Sequence, residues 1–117
     1  VTEPLAAASN EVVVVLSTAP DAAVAERLAA QLLEERLIAC TSLMAGVVSI
    51  FQWQGASQRE NEVLMVMKTA RHRVPRLMQR VPELHPYEVP ELLVLPVEAA
   101  LASYCSWVVG ETTGESA

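Results

Sequence analysis

The sequence predicts an α+β fold: two helices on one face of a four-stranded antiparallel sheet, with a further helix at the chain end. Three observations carry this. Strand-like and helix-like apolar periodicities follow one another as strand, helix, strand, strand, helix, strand. A glycine turn joins the two middle strands as a hairpin. The three clearest strands are apolar at successive positions, so neither face of the sheet reads as solvated.

Residues 12–16, VVVVL, are an unbroken β-branched and apolar run and read as a buried strand. Thr18 and Asp21 then have capping-box spacing, with Pro20 in the first helical turn, where its missing N–H costs nothing. Ala25, Leu28, Ala29, Leu32 and Leu33 fall on one face of this helix, which runs to about Arg36. Glu26, Arg27, Gln31, Glu34 and Glu35 lie largely opposite. Residues 38–44 form the second strand, and 47–53 continue it after Gly46. Gly55 marks the turn, and 62–69 return. Val74, Leu77, Met78 and Val81 have helical spacing, with Pro75 at an early position and Pro82 ending or kinking the element. Residues 92–97 are the last strand of the sheet, and 100–109 a short helix stopped by Gly110. The order β-α-β-β-α-β is the split βαβ, ferredoxin-like arrangement. It occupies one domain, 11–110, between flexible tails at 1–10, where Pro4 sits, and 111–117.

Such a sheet has one face without helices. Val12, Val14 and Leu16 point one way and Val13 and Val15 the other. Val63, Met65 and Met67 oppose Leu64 and Val66, and Leu92 and Val94 oppose Leu93 and Leu95. The terminal helix alone covers too little of four strands. An identical subunit is the simplest cover, because most soluble oligomers are homo-oligomers. Composition agrees: of 117 residues, 52% are apolar and only 19% charged, more apolar surface than one small core needs.

The same numbers exclude disorder. A net charge of −6 argues against broad nucleic-acid binding. Lys68 is the one lysine, and Arg71, Arg73, Arg76 and Arg80 read as a solvated helix face. No apolar run approaches a membrane span. The first ten residues lack a basic start and an apolar core, so no export signal is expected, and Cys40 and Cys105 are expected to be unbridged thiols in a cytoplasmic protein.

No nucleotide loop, nucleophile elbow, zincin motif or zinc-spaced cysteine set appears, and no organic cofactor is expected. Two polar groupings remain. Residues 85–91, HPYEVPE, hold His85, Tyr87, Glu88 and Glu91 on a backbone stiffened by two prolines. This stretch is either a binding or metal site or a capped subunit contact. Trp53, Glu60, Glu62 and Lys68 lie on the hairpin. His85 with Glu62 would suit a divalent ion, since imidazole serves zinc and copper and carboxylates also suit harder ions. Cys40 and Cys105 read as buried small side chains.

Ser17-Thr18 after an apolar strand, Leu37-Ile38-Ala39-Cys40, residues 46–49, Trp53-x-Gly55, 62–69, HPYEVPE and Tyr104-x-x-Trp107 together resemble the CutA divalent-cation tolerance family, over about residues 11–109. The resemblance implies a ferredoxin-like fold, a homotrimer, and a role in tolerance of copper and other divalent cations, with no established reaction. Other family members are implicated in anchoring or trafficking of partner proteins. Where the family's copper-associated pattern has a Cys and a His, this chain has Ser17 and Leu84, and it keeps His85 of that set. Trp53, Glu62, Lys68, Tyr87 and Glu91 carry over as residues of an intersubunit cleft.

The expectation is therefore a cytoplasmic, non-enzymatic homotrimer with neither a nucleic-acid nor a membrane partner. It binds a divalent cation, copper or zinc, weakly through His85 and Glu62, beside a ligand cleft of Trp53, Lys68, Tyr87 and Glu91. A small-molecule sensor or partner-binding scaffold is the alternative. An acid–base enzyme using His85, Tyr87 and Glu91, and a purely structural motif, are the remaining readings.

Overall fold

The computed structural model describes residues 5–7, as backbone, and 11–114. In chain order the elements are β1 (Leu5–Ala7), β2 (Val12–Ala19), α1 (Ala22–Glu34), β3 (Cys40–Trp53), β4 (Ala56–Ala70), α2 (Val74–Leu84), β5 (Leu93–Pro96), β6 (Ala99–Leu101) and α3 (Ala102–Thr112). The main sheet has the order β3-β4-β2-β5 and every neighbouring pair is antiparallel. This is the predicted α+β sheet with its split βαβ connections.

The alternation read from the sequence sorts the side chains as expected. Val13, Val15, Val63, Met65 and Met67 point to α1 and α2 and form the main core with Leu28, Leu32, Leu77 and Val81. Burying each such side chain stabilises the fold by roughly 1.5–3 kcal/mol. On the opposite face α3 covers one end, where Cys105 and Val108 close over Val12 and Ala39. The rest of that face is open: Leu93 is 53% exposed and Met44 56%.

Local chemistry corrects several boundaries. Thr18 does not cap α1. Its backbone is still in β2, paired with Leu64. The cap is Asp21, whose carboxylate accepts from the Val24 N–H at 2.8 Å, and Pro20 precedes the helix. The far end of α1 closes with a Schellman motif: Leu37 N–H bonds Leu32 O at 2.9 Å and Arg36 N–H bonds Leu33 O at 3.0 Å. Arg36 holds the left-handed position with φ 57°, one that glycine usually takes. Arg73 donates to the last carbonyls, Glu35 O at 3.3 Å and Arg36 O at 3.2 Å. Arg80 pairs with Glu35 at 2.9 Å and Glu83 at 3.0 Å. These arginines are thus engaged in joining α1 to α2.

Pro82 does not end α2, which continues to Leu84. The proline deprives only the Met78 carbonyl of its intrahelical donor, and Met78 lies on an exposed turn. Residues 5–7, expected in a tail, pair as β1 with β6, satisfying backbone groups on both short strands. The terminal helix runs past Gly110 to Thr112, which is fully buried and donates to Val108 O at 2.8 Å. What remains of the two expected tails, at 1–4, 8–10 and 115–117, lies outside the described residues.

Candidate ligand cleft

The site is assembled by a change of face in β3. Met44 pairs with Leu64 and Val47 with Glu62, so one extra residue is inserted on β3. Gly46 sits there at φ +79°, which makes it a bulge with glycine in the left-handed region. Before the bulge Cys40, Ser42 and Met44 share the open face. Beyond it Ser49, Phe51 and Trp53 take that side. A two-residue turn, Gln54 (φ 50°) and Gly55 (φ 82°), returns the chain with the positive dihedrals of a type I′ hairpin. The resulting arm is longer than the sequence patterns indicated, because residues 57–61 are polar and carry no apolar alternation. It runs out beyond the helices, leaving Ile50 74% exposed.

The second wall is the 85–91 segment. His85 caps α2 through its N–H to Val81 O at 2.8 Å. Its ring is buried. Nδ1 accepts from the Tyr87 N–H at 3.1 Å, which places the ring proton on Nε2, 2.7 Å from Thr18 O. The His85 and Tyr87 rings lie 4.7 Å apart, tilted by 51°. Ser17 Oγ donates to Glu91 O at 2.7 Å and pins the end of the segment to β2. Tyr87 then reaches across to β4, where its hydroxyl donates to Glu62 Oε2 at 2.7 Å. Glu62 is only 8% exposed, so this hydrogen bond holds a largely desolvated carboxylate in one orientation.

Between arm and segment lies a cleft of about 580 Å³, lined by Phe51, Trp53, Gln58, Glu60, Asn61, Glu62, Tyr87, Glu88 and neighbouring prolines. An adjoining hollow of about 410 Å³ extends it past Ser49 and Thr18 to Glu91. Burial pushes the Tyr87 phenol well above its usual range, and the negative charges of Glu62, Glu60 and Asp21 push it further. The phenol therefore stays a donor to Glu62, in a cleft whose field is negative.

Of the residues singled out in the sequence, Trp53, Glu62, Tyr87 and Glu91 converge here. Lys68 does not line the cleft. It shares β4 and its face with Glu62 but stands six residues along, about 20 Å away in an extended strand. There its ammonium contacts Ser42 Oγ at 3.3 Å and Val66 O at 3.4 Å. His85 lies behind the wall, holding Tyr87 in place. Glu60 and Glu88, members of the two polar groupings, also line the cleft, and so does Phe51, which was missed. The two-residue spacing of Phe51 and Trp53 was the available signal.

Within one chain the described residues assemble no ligand set for copper or zinc. Among the described residues no group of three or more His, Cys, Asp or Glu side chains could hold a metal ion. Both His85 nitrogens are engaged, Ser17 is tied to Glu91, and Leu84 packs against the main core. No disulfide joins Cys40 and Cys105. Among the described residues no helix is long and apolar enough to cross a membrane.

Comparison with known proteins gives a consistent result. The family described as CutA1 divalent ion tolerance protein matches residues 13–111. The divalent-cation tolerance protein CutA of Thermus thermophilus is 44% identical over 101 residues, covering 86% of this chain and 97% of the relative. That of Citrobacter koseri is 46% identical over 98 residues, covering 84% and 85%. Among solved structures, the T. thermophilus protein superposes with a TM-score of 0.83 at 43% identity, covering 88% of this chain and 99% of the other. CutA from Synechococcus elongatus gives 0.88 at 32% identity, covering 94% and 96%.

Proposed function

This chain belongs to the CutA1 divalent ion tolerance family, and on that premise we propose that it acts as a cytoplasmic, non-enzymatic homotrimer that takes a cation or small ligand in the cleft between hairpin arm and 85–91 segment. The observation that carries the reading is the buried Glu62 carboxylate, oriented by Tyr87 at a cleft large enough for a small molecule. The open sheet face supports assembly, since exposed apolar side chains in this density favour burial against another copy. Three copies follow from the family resemblance.

Copper or zinc binding is weak on this reading. An ion held by His85 displaces either the Tyr87 N–H or the Thr18 carbonyl. Metal binding is then coupled to loosening of the 85–91 segment. Sedimentation velocity tests the assembly, and a population of monomers alone removes it. Titration of copper and zinc into the labelled protein tests the ion: the Tyr87 amide and His85 ring resonances shift together, and His85→Ala abolishes the effect. Unshifted resonances and an unchanged melting curve remove the metal from the proposal.

A further inference from the structure

Resting on the reading of this cleft as the ligand site, we propose that the ligand it is built for is a small organic ammonium ion. Three features of the cleft lead there. The first is charge: Glu60, Glu62 and Glu88 line it, Glu91 lines its extension, and among the described residues no Lys, Arg or His does. An anion is repelled from such a hollow, and a cation is concentrated in it. The second is the wall. Phe51 and Trp53 stand on one side and Tyr87 on the other. Aromatic faces attract a cation through their negative quadrupole, most strongly where water is partly excluded. The third is spacing. The carboxylates line a volume of about 580 Å³ without converging on a point, and no metal-holding cluster is present among the described residues. A bare divalent ion requires close convergence of ligands. An ammonium carried on several carbons does not: its charge meets Glu62 while its methylenes or methyls lie on the rings.

Glu62 supplies the fixed end of this site. Its Oε2 is held by Tyr87, and its burial reduces the screening that an exposed carboxylate suffers. Glu60 and Glu88 are exposed, so they set the field that draws a cation in.

The test uses the assembled, isotope-labelled protein and follows the indole N–H of Trp53. Choline and putrescine are the probes. Dimethylbutanol and butanediol are their neutral counterparts of the same shape. The proposal expects either ammonium to move the Trp53 signal saturably, both neutral compounds to leave it still, and added salt to weaken the binding. Trp53→Leu and Glu60→Gln change exposed residues and leave the fold intact. Trp53→Leu, read through the Tyr87 amide because the indole reporter is gone, weakens binding about tenfold, the loss of one cation–π contact, and Glu60→Gln weakens it less. Glu62→Gln weakens it further. Equal responses to charged and neutral compounds, or silence from both ammonium probes, overturn the proposal. Copper and zinc are titrated in parallel. A metal response with no ammonium response leaves the cation-tolerance reading standing and this inference refuted. The reverse result supports this inference and removes the metal.

Discussion

The two faces of the sheet are built from the same kinds of residue and end in opposite conditions. Toward α1 and α2, Val13, Val15, Met65, Met67 and Leu77 are at most 1% exposed. On the other face Leu95 is 42% and Leu93 53% exposed, on a strand that pairs directly with Leu16 and Val14. Apolar alternation therefore states which side chains share a face. It does not state what covers that face. The covered face is finished within one chain. The open one runs without interruption into the cleft, because Glu62, Leu64 and Val66 follow one another on the same side of β4.

This contrast can be broken from either side. The largest effect is expected on the open face. Leu93→Asp places a charge where the folded single chain tolerates it but a second copy does not, so self-association is lost entirely while far-UV circular dichroism is unchanged; sedimentation velocity reads the outcome. On the closed face Leu77→Ala leaves a cavity in a packed core and lowers unfolding free energy by about 2–5 kcal/mol in urea titration, with the oligomeric state of the folded fraction retained. At the seam between open face and cleft, Tyr87→Phe removes the donor to buried Glu62 and lowers stability by about 1–3 kcal/mol. The same change frees His85 from no contact, so its ring resonances stay in place.

The smallest expected effect concerns the end of the open face that α3 does cover. Tyr104 shares a hydrogen bond of 3.5 Å with Cys40, and that bond, with burial second, pushes the phenol from 10.0 up to about 12. A raised folded value means that the contribution to stability is complete below pH 10 and is lost as pH rises toward 12. The melting temperature of Tyr104→Phe should accordingly fall less steeply than that of the parent across this window.

Much of this arrangement was legible in residues with strong periodicity. The four sheet strands, both covering helices and the two apolar faces follow from side chains whose spacing has one physical interpretation. Misplaced features depended on competition or distance. Thr18 and Asp21 both make good caps, and the ladder to Leu64 decided between them. Residues 5–7 have little local signal, and their strand exists through β6. Trp53, Glu62 and Tyr87 could be named from the sequence, but only the fold shows that Lys68 of the same chain stands about 20 Å along β4 from Glu62. His85, expected as a metal ligand, has both ring nitrogens engaged by backbone groups within the chain and so holds the Tyr87 backbone.

The extra residue at Gly46 has a consequence for how such a protein can vary. A strand counts its side chains in twos, and the bulge shifts that count by one halfway along β3. The half nearer the sheet and the half in the arm are thus out of phase, and each can keep its own register of inward residues. Flattening the bulge with every residue kept would carry one phase throughout and slip the arm's pairing with β4 by one residue. Val48 and Ile50 would then face Tyr87, and Phe51 and Trp53 would turn to the far side. The lining of the cleft is written in a frame that one glycine sets, so the arm can change its chemistry without rewriting the sheet that carries it.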